Sequence, residues 1–195
     1  MYDFDRRVYP IKITLARKKT ELKQIIELQK LNLRAAVGEE TAQKQGFLTA
    51  VHDYKVLEEM NNTTAAVIAK KGTKVVGYAL AMTRPFAEKI PTLTPVWALQ
   101  DEASINGEAL AELNYMGMGQ VCVAEEARGQ KVVDRMYKYM RTCYSLHYPY
   151  LITAIDATNT RSRRVHERIG FKELLVKPAA TTGQTWVIVG WDWRR

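Results

Sequence analysis

Only 2 cysteines and 3 histidines occur among the 195 residues, a supply too small and too scattered for a disulfide framework or a metal centre. Cys122 and Cys143 form no C-x-x-C pair and stand at no ligand spacing from a histidine, so no metal site is expected and a reducing cytoplasm is the simplest setting. Cys122 lies in an apolar run with no histidine or acid beside it, which reads as a small buried side chain rather than a nucleophile. An apolar stretch of about 18 residues is also missing, so no membrane span is expected. The start of the chain, Met1 to Arg7, does not have the basic-then-apolar order of a secretion signal. With no repeat or low-complexity tract and 47% hydrophobic residues, residues 1–195 are expected to form one domain.

Charge is present in excess of one sign. The formal net charge of +8 favours anionic ligands such as phosphates, acidic proteins or nucleic acid. The basic residues come in pairs, such as Lys18-Lys19, Lys70-Lys71 and Arg163-Arg164, and never grow into a long run. No RNA-binding aromatic motif accompanies them, so a solvated basic surface is favoured over a nucleic-acid face.

Periodicity predicts the elements. Ile11 to Leu15 alternates as a half-buried strand does, and Leu22, Ile25, Ile26 and Leu33 then trace a helical stripe that Gly38 interrupts. Phe47 to Met60 reads as a second helix ending at Asn61-Asn62. Residues 65–69 and 74–80 flank Lys70-Lys71-Gly72-Thr73 as an antiparallel hairpin. Arg84 to Asn114 holds three prolines and no firm period, the mark of a functional or mobile connection. Tyr115 to Val123 is an apolar strand, and Val133, Met136, Tyr137, Met140 and Tyr144 trace one helical face after the Arg128 turn. Tyr150 to Ile155 is the next strand, which makes a strand–helix–strand crossover between parallel neighbours. A helix over 159–169, a short strand over 172–176 and a last strand over 185–191 complete the pattern. The aromatic segment Trp186 to Trp193 could complete the sheet or pair across a subunit edge in a homodimer. The fold class is α/β, with a mixed, partly parallel central sheet and helices on both faces.

Two blocks carry chemistry. Val121-Cys122-Val123-Ala124-Glu125-Glu126-Ala127-Arg128-Gly129-Gln130 reads as a strand, a polar turn and a helix start, where free N–H groups and the helix dipole, worth ~0.3–1 kcal/mol, favour an anion. Asn159-Thr160-Arg161-Ser162-Arg163-Arg164-Val165-His166-Glu167-Arg168-Ile169-Gly170-Phe171 reads as a helix closed by Gly170, with an Asn at its start and an imidazole one turn before its end. Asn159 is equally a plain N-cap, and His166 a cap on the last turn.

In this order the two blocks resemble the GNAT family of N-acyltransferases, and the resemblance covers nearly the whole chain in element order. It implies a sheet whose two central parallel strands splay apart, with acetyl-CoA as co-substrate in the gap. It further implies that Val121 and Val123 offer backbone groups to the pantetheine, and that the amides of Gly129, Gln130, Lys131, Val132, Val133 and Asp134 hold the pyrophosphate, with Arg128 adding charge. Asn159 and Ser162 would contact the pantetheine arm. His166 stands where the family often has a Tyr that protonates the departing thiolate, and an imidazole of ordinary pKa ~6.5 can donate a proton. Lys131 and Val133 stand where the family's turn has small residues. The activity implied is transfer of an acetyl group to a primary amine, small or on a protein. The base is open among Glu39, Glu40, Glu58, Asp101 and Asp156, of which Asp156 follows a strand end, where α/β folds place ligands. Residues 38–47 and 84–114 would frame the amine site, with Phe86 and Trp97 as candidate lining. A non-catalytic acyl-CoA-binding domain and a basic nucleic-acid-associated module remain as rival readings.

Overall fold

A computed structural model describes residues 10–38, 46–86, 89–90, 94–180 and 183–194. Strand β1 (Ile11–Leu15) leads into helix α1 (Lys19–Asn32), whose first turn is fixed by Glu21: its carboxylate accepts from the amides of Arg17 and Lys18 and from Lys70 Nζ. The α1 stripe buries Leu22, Ile25 and Leu28, and Gln29 falls on the same face.

The helix predicted to run on to Gly38 is broken at Leu33, whose ψ of 144° leaves helical space, and a short helix α2 (Arg34–Val37) follows. The cause is tertiary: Leu33 makes a parallel bridge with Leu48, with Arg34 N donating to Leu48 O and Leu48 N to Asn32 O. The same bridge anchors residues 46–53, which form no helix although one was expected from Phe47 onward. That helix, α3 (Tyr54–Thr63), starts only at Asp53, whose carboxylate caps the amides of Lys55 and Val56.

Strands β2 (Val67–Lys71) and β3 (Lys74–Met82) form the predicted hairpin, with Gly72 at φ +61° in its turn. All eight residues from Val75 to Met82 are buried. Because successive strand side chains point to opposite faces, both faces of the sheet are covered. The 84–114 connection carries more structure than its sequence suggests: helix α4 (Thr94–Asp101) buries Val96, Trp97 and Leu99, and β4 (Ser104–Ile105) pairs with β5 (Glu108–Ala109).

The second half runs β6 (Met116–Val123), α5 (Val132–Tyr144), β7 (Tyr150–Asp156), α6 (Thr160–Ile169), β8 (Lys172–Pro178) and β9 (Thr185–Asp192). One seven-stranded sheet has the order β1-β2-β3-β6-β7-β9-β8, and β6 and β7 are its parallel pair. The strand pairing of these two is confined to Met116↔Leu151 and Gly117↔Ile152. Beyond Gly117, β6 stays with β3 while β7 stays with β9 through Asp156, so the two central strands diverge. Strand β9 is paired on both sides, by β7 and β8, which closes the route by which Trp186 to Trp193 could pair across a subunit edge. No helix of the described residues is long and apolar enough to cross a membrane.

Candidate functional site

The gap left by the diverging strands is the site. Ala124 N donates to Val76 O of β3, so alternation turns the main-chain groups of Val123 and Val121 to the other edge of β6, into the gap. Val123 O is met there by Arg128 Nε at 3.2 Å. Thr153 Oγ1 of β7 donates to Met118 O at 2.9 Å, satisfying a carbonyl that the splay deprives of a strand partner.

A cleft of about 450 Å³ extends from this gap to the start of α5 and is walled on the far side by α6. Gly129 at φ +77° and Lys131 at φ +54°, ψ 31° turn the chain sharply into α5. The first bond of the α5 ladder is Arg135 N to Lys131 O, so the amides of Val132, Val133 and Asp134 lie ahead of it without a helical acceptor. Such a left-handed turn running into a helix is a backbone nest for an anion. Arg128, Lys131, Arg161 and Arg168 line the same cleft. Arg168 is bonded twice to Asp134, with its NH2 nitrogen 2.7 Å from Oδ2. Arg128 also reaches Asn32 Oδ1, so its guanidinium ties the turn to α1 while leaving its charge at the cleft wall. The Gln130 side chain turns away to Glu126 O, so only its main chain faces the turn.

Lys131 takes the left-handed conformation that favours glycine, at a cost of roughly 1–2 kcal/mol for a residue with a Cβ. Lys131→Gly is therefore expected to raise the stability of the free protein by about 1 kcal/mol, read as a higher midpoint in urea. If the ammonium also serves an anion in the cleft, affinity for that anion falls in the same variant, two opposite effects from one substitution.

Asn159 caps α6, accepting from Ser162 N at 3.1 Å, while its Nδ2 reaches Phe47 O and its carbonyl crowds Gly46. Asn159 and Ser162 line the cleft together with Phe47 of the 46–53 segment. Cys122 also lines the cleft, but burial pushes its thiol up to about 12, so it stays protonated and is no nucleophile.

His166, which the resemblance puts where a proton donor is expected, is bonded at both ring nitrogens. Its Nδ1 lies 2.8 Å from Ser162 O, which can only accept, so Nδ1 carries the proton. Its Nε2 lies 2.6 Å from the hydroxyl of Tyr137, which burial keeps protonated, so Nε2 accepts. The ring is 3% exposed and burial holds its pKa down to about 4, against the smaller upward pull of the Ser162 carbonyl. A neutral imidazole with both nitrogens committed has no proton to hand to a thiolate. Tyr137, read from the sequence only as part of a helix face, is the partner that makes this so.

Deeper between the splayed strands lies a chamber of about 90 Å³, reached by His166 and Ser162 from the cleft side and lined further by Thr49, His52 and Trp186. Asp156 is its only carboxylate among the described residues. Asp156 Oδ1 accepts from Thr158 N and Oγ1, and Oδ2 accepts from Gln184 Nε2 at 2.7 Å with Arg34 at 4.0 Å. Trp97 lines an adjoining cavity of about 60 Å³ over Gly117, whereas Phe86 is packed in the core. Asp101 pairs with Arg84, and Glu58 is held by Lys19 and Tyr54 on α3, away from the chamber. Glu39 and Glu40 lie outside the described residues.

His52 is the residue the sequence hid. It is 7% exposed and sits against Gln29 of α1, the polar side chain on an otherwise apolar stripe, which was the available signal. Beside it a second set of hydrogen bonds runs from Tyr78 Oη to Gln120 Oε1 at 2.6 Å and from Gln120 Nε2 to Ala50 O at 2.8 Å. Together the two sets lock residues 50–52 onto α1 and β6 beside the chamber.

The comparisons agree with this geometry. Residues 23–171 match the model of the acetyltransferase (GNAT) family. No curated protein sequence matches the chain. Among solved structures, the ribosomal-protein-S18-alanine N-acetyltransferase of Escherichia coli superposes with a TM-score of 0.61 at 10% identity, over 94% of each chain. An N-acetyltransferase of Staphylococcus aureus gives 0.60 at 17%, over 94% of this chain and 99% of that one. A Salmonella typhimurium protein solved with its cofactor acetyl-CoA gives 0.59 at 13%, over 94% of each. At such identities these likenesses carry the fold alone, and the family match carries the rest: the chain belongs to the acetyltransferase (GNAT) family.

Proposed function

We propose that the protein is an N-acetyltransferase that moves the acetyl group of acetyl-CoA directly to a primary amine. The observation that carries the reading is the opening between β6 and β7 beyond Gly117, with a turn of unpaired amides and cationic side chains at one end and a chamber holding a single carboxylate at the other. The residues fit the cofactor the family uses. The amides of Gly129, Gln130, Lys131, Val132, Val133 and Asp134 offer consecutive donors for a pyrophosphate, with Arg128 and Lys131 supplying charge. Val121 and Val123 present main-chain groups to an extended amide-bearing arm, and Asn159 and Ser162 face them from α6. Bound there, acetyl-CoA supplies an activated thioester carbonyl.

The chain's own groups then orient the acceptor and handle its proton. Asp156 draws an ammonium into the chamber and takes the proton that the nitrogen must lose at Oδ2, which accepts one hydrogen bond from Gln184 and has Arg34 4.0 Å away. His166 holds Tyr137 and α6 in place rather than donating to sulfur, so the thiolate takes its proton from solvent at the cleft mouth. Phe47 and Leu48 keep water from the chamber side of the gap.

Ligand linkage tests the cleft. With CoA at about 100 times its dissociation constant, the folded state should gain ~2.7 kcal/mol. The gain is read as a rise in the unfolding midpoint, and no rise at saturating CoA would overturn the cofactor assignment. Release of free thiol from acetyl-CoA across a panel of primary amines tests the transfer itself.

A further inference from the structure

His52 has one polar atom with nothing to bond, and the hydrogen bonds around it determine what that atom is. The backbone N–H of His52 donates to Gln29 Oε1 at 2.9 Å, which settles which end of that amide is oxygen. The other end, Gln29 Nε2, lies 3.0 Å from His52 Nδ1 and must donate to it. Nδ1 is therefore an acceptor, and the ring's proton is on Nε2. Nε2 is buried and has no partner. Burial, which lowers the imidazole to about 4, keeps the ring neutral. It is thus a fixed N–H donor, with no lone pair free to act as a base. An unmatched buried donor is costly, and where one persists beside a cavity it points to something that binds there.

His52 is among the residues that line the small chamber between β6 and β7 and not among those of the cofactor cleft, so what it serves is on the acceptor side. Among the described residues no Lys or Arg lines the chamber, and its carboxylate is Asp156. A carboxylate ligand would face Asp156, whose nearby cation, Arg34 at 4.0 Å from Oδ2, already serves as the counter-charge of that group, so a second carboxylate is disfavoured. A neutral carbonyl oxygen meets an N–H donor with no such cost. The chamber, at about 90 Å³, holds only a few atoms, so an oxygen at His52 and a nitrogen at Asp156 must be separated by few bonds.

We infer that His52 is a specificity residue of the amine site: its Nε2–H receives a neutral carbonyl oxygen carried close to the acceptor's amine. The acceptor class is then an α-amino amide, free or at the start of a larger chain, in preference to a plain alkylamine or a free α-amino acid. This rests on the acetyl-transfer reading for its substrate role, though the donor and its tautomer do not depend on it.

The test uses the full chain with acetyl-CoA and three acceptors, glycinamide, glycine and propylamine, with rates expressed per neutral amine. Glycinamide should exceed each of the others in kcat/KM by roughly 10- to 100-fold, the worth of one buried hydrogen bond. His52→Phe should bring the glycinamide-to-propylamine ratio close to one, and equal ratios in the parent and the variant would overturn the inference. If the variant does not fold, NMR of isotope-labelled histidine in the parent protein decides. The His52 ring should show the Nε2–H tautomer, and glycinamide added to the CoA-loaded protein should move that N–H resonance where propylamine does not. A ring in the other tautomer, or a resonance that no amine moves, would mean a buried water only and would sink the proposal. Should no amine release thiol while glycinamide still moves the resonance, the transfer reading fails and the binding site stands.

Discussion

Asp156→Asn is expected to lower kcat by ~10²–10⁴-fold, the usual worth of a positioned proton acceptor, with CoA affinity unchanged. The substitution is close to isosteric in this setting. An amide oxygen at the Oδ1 position can still accept from Thr158 N and Oγ1, which keeps the turn at the end of β7. On the other side the Gln184 amide can reverse to present its oxygen to the new NH₂ group. What is lost is the charge that attracts an ammonium and the lone pair that takes its proton. A folded Asp156→Asn protein with parental kcat would assign the proton to water and leave Asp156 as a turn residue alone.

Acid should weaken the fold by a margin that two histidines set. Burial holds His52 and His166 at about 4, well below the ordinary 6.5 that both regain on unfolding. As the pH falls below 6.5 the unfolded chain takes up two protons that the folded chain refuses until about 4. The stability each neutral ring contributes is therefore complete above 6.5 and is lost as the pH drops through that window, on the order of 3 kcal/mol for each. Urea unfolding near pH 7.5 and near pH 4.5 reads the loss before most carboxylates titrate. Asp192, for example, is held down to about 2, chiefly by its hydrogen bond from Arg194. Replacing either histidine by Gln should remove about half of the slope, whatever it does to the absolute stability. A parent protein equally stable at both pH values would mean that neither ring is buried neutral.

The elements legible in the sequence are those that local chemistry decides. The 11–15 alternation, the Gly72 hairpin and the β6-α5-β7 crossover follow from side-chain period and turn residues, which act over a few positions. The segment over 47–53 misled because Phe47 and Leu48 are apolar for the sake of the cleft they line, and because the Leu33–Leu48 bridge, invisible to any local window, ties it to α2. The same bridge cut short the first helix. Helix α4 was hidden among prolines, and the place of β9 between β7 and β8 is a matter of strand order that periodicity does not carry. At the site, the amide turn and its position before α5 were readable from Arg128-Gly129. The pairs that decide protonation were not. Tyr137 and His166 lie 29 residues apart and Gln29 and His52 lie 23 apart; the first pair joins α5 to α6 and the second joins α1 to the 46–53 segment, contacts that no local window carries.

The central claim, direct acetyl transfer in the gap between β6 and β7, is tested most directly by incubating the protein with acetyl-CoA and an α-amino amide and following thiol, amine and protein together. The account predicts acetylated amine and free CoA in equal amounts, with the protein's own mass unchanged throughout, because the one thiol among the described residues of the cleft, Cys122, is buried and protonated. CoA that stabilises the fold while no primary amine releases thiol above the enzyme-free rate would contradict it, and would make the protein a binder of acyl-CoA rather than an enzyme.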